Sequence, residues 1–439
     1  MSLSSERTSP GPASRPARRV VAATVVGTTL EWYDFYLYAA MATLVFAPLF
    51  FPSSSSVASQ LAAFATFAVG FVARPVGAAI AGHFGDRIGR KRMLVITLLA
   101  MGVATTAVGL LPTFDTIGMA APIALVILRV VQGLAMAGEW GGAVAMAAEH
   151  APAGQRTLYS SAPMIGSPLG VVLANVVLLA LVTLPDSVFM SWGWRIAFLL
   201  SIVLVVIGVW VRRSIDESPL FDAEVAPEPV RVPLVEVLRN HAGTLLKTTV
   251  VSGVPGVATY IVLAYILSYG TSEIGYSKEL LLTIGIVVCI IQAVLIPVLA
   301  SLGKRTNPLR LIVIGAGLQG IVSLLFFPLF DSGTGLLAFI ACVAVVAPTG
   351  LVFAVLPVVL IDRYPPKIRY TGISMAYQLG AIVGGGFAPL IATAILAATG
   401  SSFFIGVYMA MASLVMMLCG ISLRRPEKRV ALMQSGGAS

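Results

Sequence analysis

Long apolar runs alternate with short polar segments along almost the whole chain. A helix that crosses a lipid bilayer needs about 20 mostly apolar residues. Twelve runs are of this order of length, and glycine, proline or charged residues mark their ends. We predict a membrane-spanning helix for each run: 20–46, 58–82, 93–112, 118–147, 157–184, 192–211, 244–268, 280–302, 309–330, 335–360, 370–398 and 402–423.

The composition is that of a chain that lies mostly in lipid. Hydrophobic residues make up 58% of the 439 residues and charged residues only 11%, whereas soluble domains carry about 25% charged residues. The three cysteines lie in apolar runs without CxxC spacing, which predicts buried thiols, and the three histidines lack the spacing of metal ligands. We therefore predict no metal and no organic cofactor.

The positive charges are distributed unevenly between the two faces of the predicted membrane protein. With the N-terminus inside, nearly all of the 28 lysine and arginine residues fall in inner segments, and the external loops hold only Lys278. Basic residues accumulate in the cytoplasmic loops of membrane proteins. The net charge of +9 therefore reports topology, and no nucleic-acid partner is needed to explain it. We predict a multi-pass protein of the inner membrane with both termini in the cytoplasm.

The longest polar segment between the runs, residues 212–243, divides the twelve predicted helices into six and six. We interpret it as a cytoplasmic linker between an N-terminal six-helix bundle at 20–211 and a C-terminal one at 244–423. The polar ends, 1–19 and 424–439, are predicted to be a disordered cytoplasmic N-terminus and a cytoplasmic tail. A GxxxG pair recurs in the fifth and eleventh runs, which indicates related halves unless it reflects the general frequency of this motif in membrane helices.

Two carboxyl groups lie in the first predicted helix. Ionisable groups inside a bilayer are costly and are therefore functional candidates. Glu31 lies near the midplane, and Asp34 and Tyr38 follow at one-turn intervals. A medium of low dielectric constant favours the protonated carboxyl, so Asp34 and Glu31 are candidate proton carriers. The alternative is that one carboxylate only neutralises a buried arginine. Tyr38, on the same helix, is a candidate substrate contact.

The second and fourth predicted helices carry the intramembrane arginines. Arg129, Gln132 and Trp140 share one helical face, and Arg129 could bind a substrate carboxylate or tune a nearby acid. Glu139 lies off that face, where it is either a further coupling carboxyl or a structural partner of a basic residue. Arg74 in the second helix is likewise either a substrate contact or part of a structural pair.

The segment between the second and third runs is rich in glycine and arginine and is predicted to form a latch on the inner face. Glycine permits a tight turn and a close approach of two helices. The arginines could pair with an acid at another helix end, such as Glu149, in a contact that breaks and re-forms during transport. The predicted latch residues here are Gly82, Gly85, Asp86, Arg87, Gly89, Arg90 and Lys91.

Four motifs carry a resemblance to a known family. The pattern Gly-x-x-x-Asp-Arg-x-Gly-Arg-Lys at 82–91 resembles the loop signature of the major facilitator superfamily. GTTLEWYDFYLY at 27–38, RVVQGLAMAGEWGGA at 129–143 and DRYPPKIRYTGISMAYQLGAIVGGG at 362–386 resemble its metabolite:H+ symporter branch. That branch includes carriers for citrate, α-ketoglutarate, shikimate and proline/betaine.

The resemblance implies an all-α membrane protein with twelve transmembrane helices in two six-helix bundles, a central cavity, alternating access and proton coupling through buried carboxyls. It also implies a latch role for Asp362 and Arg369, which match the two ends of the loop before the eleventh helix. Met164 departs from the family, where glutamine is frequent, and is a candidate for altering the substrate pocket. The intramembrane polar residues that match the family are Asp34, Arg74, Arg129, Gln132 and Glu139.

The sequence therefore predicts proton-coupled symport of a small organic metabolite, with an organic acid as the favoured substrate. Uptake of a zwitterion such as betaine and export by proton antiport remain open, and a membrane sensor of metabolites is a distant alternative. An enzyme is not predicted, because no nucleophile–base set, metal cluster or cofactor motif is found. A channel is disfavoured because no filter-like segment is present.

Overall fold

The computed structural model describes residues 15–53, 55–88, 90–137, 139–149, 151–152, 154–213, 233–303, 306–365 and 368–424. Nearly all of these residues are helical, and this part of the chain contains no strand. Twelve helical spans are labelled here in chain order: α1 Val21–Phe50, α2 Ser56–Ile88, α3 Arg90–Leu110, α4 Ala120–Met136, α5 Arg156–Val182, α6 Asp186–Trp210, α7 Ala242–Ile274, α8 Lys278–Leu302, α9 Pro308–Phe330, α10 Gly335–Ile361, α11 Arg369–Thr399 and α12 Phe403–Leu423.

Ten of these spans are long and apolar enough to cross a membrane, and α3 and α4 contain shorter apolar stretches. Large apolar side chains are also exposed on the outside, including Val103 at 68% and Trp210 at 73% of full exposure. Water would not tolerate so extensive an apolar surface, whereas lipid would. The predicted fold class, an all-α membrane protein of twelve spans, is confirmed.

The spans pack as two sets of six. Within α1–α6, α1 packs on α5 and α2 on α4; within α7–α12, α9 packs on α10 and α12, and α7 on α11. The two sets meet mainly along α5 with α8 and α2 with α11. The predicted bundle boundaries stay a prediction, and residues 1–14, 214–232 and 425–439 lie outside the described chain. A short helix, Pro233–Asn240, occupies the end of the predicted linker.

Glycines set the closest approaches of the helices. A Cβ atom on Gly170 of α5 would lie 2.7 Å from the Thr29 carbonyl oxygen of α1. A Cβ on Gly384 of α11 would lie 1.7 Å from the Gly253 carbonyl oxygen of α7. The two GxxxG motifs therefore lie where backbones touch, at corresponding helix pairs of the two sets.

Two features of the helices differ from the prediction. The predicted run 118–147 is divided, because α4 ends at Met136 and a separate helix covers Glu139–Glu149. In addition, π-helical turns lie within four spans, at Ala42–Phe46, Phe189–Gly193, Ile261–Tyr265 and Ile382–Gly386, and a fifth ends α7 at Gly270–Ile274. Such turns widen the helix locally and are frequent at functional sites.

Candidate functional site

A small cavity lies between the two sets of helices. Its volume is about 40 Å³, which is room for about three water molecules. An organic metabolite would not fit, so the cavity is closed in this conformation. No side chain that lines it carries a full charge at neutral pH. Its walls are Trp32, Tyr36, Phe71, Met164, Ser167, Ser252, Gly253, Gly256, Thr259, Tyr260, Phe353, Tyr377, Ala381 and Gly385.

One end of the molecule, where Arg156 and Asp362 lie, is called the basic end here. Two contacts close the cavity towards this end. The rings of Trp140 and Tyr377 stack with centroids 3.6 Å apart and an interplanar angle of 5°. Gln378 Nε2 donates a hydrogen bond of 2.9 Å to the Ala137 carbonyl oxygen, which follows the last residue of α4. Both contacts join the α1–α6 set to α11, so they must break if this end opens.

An ion pair lies further out at the basic end. Arg156 Nη1 is 3.3 Å from Asp362 Oδ1, and the two side chains are 46% and 53% exposed. Arg369 Nε donates to the Tyr364 carbonyl oxygen over 3.3 Å, and the Tyr364 hydroxyl is 2.7 Å from that of Thr248. Burial raises the pKa of Tyr364 to about 12, so its hydroxyl stays neutral. Asp362 thus bridges the two sets, whereas Arg369 contacts its own loop. Arg156 was not among the predicted latch residues.

The opposite end is also closed. Lys278 Nζ lies 3.4 Å from Asp186 Oδ1 across the two sets. Ser268 Oγ donates to Gln60 Oε1 over 2.8 Å, again from α7 to the other set. Nearer the cavity, the rings of Tyr36 and Tyr260 stack with centroids 5.3 Å apart. The cavity is therefore shut off from both ends.

A chain of polar side chains runs through the interior of the α1–α6 set. Asp34 accepts hydrogen bonds from Ser201 over 2.6 Å and from Thr105 over 3.0 Å. Gln132 Nε2 donates to Thr105 Oγ1 over 2.8 Å, and Arg129 Nη1 donates to Gln132 Oε1 over 3.2 Å. All are buried, and Asp34 is only 5% exposed. These hydrogen bonds link a carboxyl to a guanidinium through neutral groups. The roles of Thr105 and Ser201 could not be predicted from the sequence, where they are only hydroxyl residues within apolar runs.

The two intramembrane arginines are covered by aromatic rings. Phe35 lies between them, with its centroid 4.1 Å from Arg129 Cζ and 4.2 Å from Arg74 Cζ. Arg129 also lies 4.1 Å from the Tyr38 ring, and Arg74 Nη2 donates to Met136 Sδ over 2.8 Å. Within the described part of the chain, Nε of both arginines and Nη2 of Arg129 have no hydrogen-bond partner. Such poorly satisfied buried cations are costly, so both arginines stay candidates for a functional site.

The structure brings some of the predicted site residues together and separates others. Met164 is the predicted substrate contact that lines the cavity, and Trp140 stacks on the lining ring of Tyr377. Glu31 is buried, near enough to Arg74 and Tyr377 for electrostatic interaction.

The other predicted substrate contacts do not line the cavity, and most of the predicted latch residues lie where the structure does not describe the side chains. Tyr38 donates to Thr66 and, with Arg74, Arg129 and Gln132, lies outside the cavity wall. Gly89 lies outside the described residues, and other predicted positions fall where the backbone is described as helical but not the side chains. These positions are Gly82, Gly85, Asp86, Arg87, Arg90, Lys91, Glu139 and Glu149.

We expect Trp140→Ala to open the basic end. An aromatic stack contributes about 0.5–1.5 kcal/mol. Its loss should therefore raise the population with an open basic end by about 2–10-fold. The measurement is the rate at which a maleimide labels Ser252→Cys, a cavity position, after the three native cysteines are replaced. Trp192→Ala is the control, because that ring is 61% exposed and does not line the cavity. An equal labelling rate for Ser252→Cys alone, with Trp140→Ala and with Trp192→Ala would exclude a gating role for the stack.

Comparison with known proteins agrees with this architecture. The Major Facilitator Superfamily model matches residues 24–377, well over half of the chain. The shikimate transporter of Escherichia coli K12 is 39% identical over 412 residues, which cover 92% of this chain and 93% of that protein. A putative proline/betaine transporter of Staphylococcus aureus COL is 30% identical over 408 residues, with coverage of 92% and 87%.

A solved structure shares the fold. The crystal structure of a D-xylose-proton symporter superposes with a TM-score of 0.73 and 18% sequence identity, over 93% of this chain and 97% of that one. At this identity the likeness concerns the fold alone. The resemblance predicted from the four motifs is confirmed, and the chain belongs to the major facilitator superfamily of membrane transporters.

Proposed function

We propose that this transporter carries a small organic carboxylate together with protons across the bacterial inner membrane, by alternating access. The observation that carries the proposal is the buried Asp34–Thr105–Gln132–Arg129 chain inside one set of helices, beside a cavity that is closed at both ends. A carboxyl that lies in a water-excluded helix bundle is suited to carry a proton. No cofactor other than the proton is required.

The charge distribution supports an orientation. Lysine and arginine are concentrated at the basic end, and the helix sets lie in a lipid bilayer, so the basic end and both termini face the cytoplasm. The Trp140–Tyr377 stack and the Arg156–Asp362 pair are then the cytoplasmic gate. The Lys278–Asp186 pair closes the external side.

The transport cycle follows from these positions. A substrate enters between the two sets, where Arg129 or Arg74 attracts its carboxylate. Protonation of Asp34, or of Glu139, removes a negative charge from the N-terminal set and favours reorientation of the loaded carrier. Glu31 is a further candidate, because it lies near both Arg74 and the cavity-lining Tyr377.

A second candidate is proton-coupled uptake of a zwitterionic compatible solute. The aromatic cavity wall favours it, since rings attract quaternary ammonium groups. One relative is described as a putative proline/betaine transporter. Proton antiport export uses the same fold with the opposite direction of flux.

The test is uptake into proteoliposomes that contain the purified full chain. Labelled hydroxy acids, aromatic acids and betaine would be supplied with and without an inward proton gradient, each with a protonophore control. Accumulation of a carboxylate that needs the gradient supports the proposal, and accumulation of betaine alone supports the second candidate. Exchange without accumulation for every compound would contradict proton-coupled symport.

A further inference from the structure

Phe71 is part of the cavity wall on the side where Arg74 lies. Its ring lines the cavity, and the ring centroid lies 4.3 Å from Arg74 Cζ. Arg74 is 1% exposed, its Nε has no hydrogen-bond partner among the described residues, and its Nη2 donates to the sulfur of Met136, a weak acceptor. Glu31 lies near enough for electrostatic interaction with Arg74, but a guanidinium whose Nε donor is unused would still gain from a ligand that accepts its hydrogen bonds.

A notch in α11 holds Phe71 in this position. The notch consists of Gly385 and Gly386, in the π-helical turn Ile382–Gly386. A Cβ on Gly385 would lie 2.8 Å from Phe71 Cε1, and one on Gly386 would lie 2.9 Å from Phe71 Cβ. Any side chain at these positions would therefore press on the ring. Because α2 and α11 belong to different sets, the contact must loosen when the sets separate along this line.

We propose that Phe71 is a movable cover over Arg74. In the closed conformation the glycine notch seats the ring over the guanidinium. When α11 moves away, the ring turns aside, and Arg74 binds the carboxylate of the substrate. This inference rests on the proposed function and adds to it the residue that binds the carboxylate and the side chain that controls access to it.

The geometry also selects the substrate class. Arg74 lies behind two cavity rings, 4.3 Å from Phe71 and 5.9 Å from Trp32, so a cation placed on their free faces would be repelled by the guanidinium. A quaternary ammonium is therefore disfavoured on this side of the cavity. The ligand that fits is an organic acid whose carboxylate reaches Arg74 and whose ring or apolar part packs on Tyr260 and Tyr377.

The experiment measures binding without a proton gradient, by the ligand-dependent rise of the unfolding temperature of the full chain in detergent. The probes are shikimate and benzoate, each paired with its methyl ester, which keeps the ring but lacks the charge. We expect at least one acid to bind and its ester to bind about tenfold or more weakly. Arg74→Gln should abolish this difference, and Arg74→Lys, if the former does not fold, should reduce it.

The direction in which Phe71→Ala changes the affinity for the acid tests the cover most directly. Removing the cover removes the population in which Arg74 is inaccessible, so the acid should bind more tightly, by about tenfold if the cover is closed nine-tenths of the time. Phe64→Ala is the matched control, because it removes another buried ring of α2 that does not line the cavity. It should not tighten binding. Phe71→Leu, a smaller change, should tighten binding less and serves if Phe71→Ala does not fold.

Three outcomes would overturn the cover: no acid preferred over its ester, an undiminished preference in the Arg74 variants, or no gain in affinity on truncating Phe71. These results are independent of proton coupling. A protein that binds acids through Arg74 but fails to accumulate them would contradict the proposed symport and keep the cover. Gradient-driven uptake together with unchanged binding in the Phe71 variants would support the proposed symport and contradict the cover.

Discussion

Asp34→Asn is expected to abolish proton-driven accumulation while leaving the fold and substrate exchange intact. The amide cannot carry a proton, but it can keep both contacts of the carboxylate. Its oxygen can still accept from Ser201, which lies 2.6 Å from Oδ1 of Asp34. Its nitrogen can donate to Thr105, whose own proton has a second acceptor, the Met101 carbonyl oxygen at 2.9 Å. The substitution therefore removes the titratable group at little structural expense.

The measurement is the ratio of internal to external substrate in proteoliposomes under an inward proton gradient. We expect a ratio near one for Asp34→Asn and several-fold accumulation for the wild type. Ser201→Ala is the control, because it removes a hydrogen bond to the carboxyl but keeps the titratable group, so it should still accumulate substrate. Normal accumulation by Asp34→Asn would move the coupling role to Glu31 or Glu139, which Glu31→Gln and Glu139→Gln would then separate.

The spans could be predicted because each depends on local composition. A run of apolar residues such as 309–330 must be a helix in lipid, since a helix satisfies its own backbone hydrogen bonds. The division of the predicted run 118–147 into α4 and the helix Glu139–Glu149 could not be predicted in this way. There the Ala137 carbonyl oxygen accepts from Gln378, which is 241 residues away in the chain, and local sequence does not contain that partner.

The candidate site was predictable where ionisable residues are rare. Asp34, Arg74 and Arg129 stand out in apolar runs, and the spacing of Arg129 and Gln132 places them together, as their hydrogen bond requires. The rings that line the cavity, such as Tyr260 and Tyr377, do not stand out, because aromatic residues are common in membrane helices. Their role depends on which faces of α7 and α11 meet α1 and α2, and this is set by tertiary packing.

Tertiary packing also determines which rings cover the arginines. From the sequence, Arg129 and Arg74 are intramembrane cations that could reach a substrate directly. In the structure the ring of Phe35 lies between them, and Phe71 is part of the cavity wall on the side where Arg74 lies. Phe71 precedes Arg74 by three residues on α2, so their contact follows from helical spacing. Phe35 belongs to α1, and a phenylalanine in an apolar run gives no sign of stacking on a cation from another helix. The sequence therefore indicates the charge but not its accessibility.

Gly384→Ala is expected to destabilise the α7–α12 set more than alanine at any other glycine of that set. The added Cβ would lie 1.7 Å from the Gly253 carbonyl oxygen and 2.4 Å from its carbonyl carbon. Backbone atoms cannot turn aside as a side chain can, so α7 and α11 must separate along their length. Overpacking of this kind costs about 1–3 kcal/mol, and a collision with backbone belongs at the upper end.

Gly317→Ala is the matched control, since it adds the same methyl group to a helical glycine of the same set. Its nearest neighbour would be Met417 Sδ at 3.6 Å, an ordinary contact with a flexible side chain. Alanine also favours a helix over glycine by about 1 kcal/mol in soluble peptides, so this variant should be as stable as the wild type. The measurement is the fraction of monodisperse protein left after heating in detergent. If both variants survive equally, α7 and α11 are not in backbone contact, and the GxxxG pair of α11 has no role in packing the set.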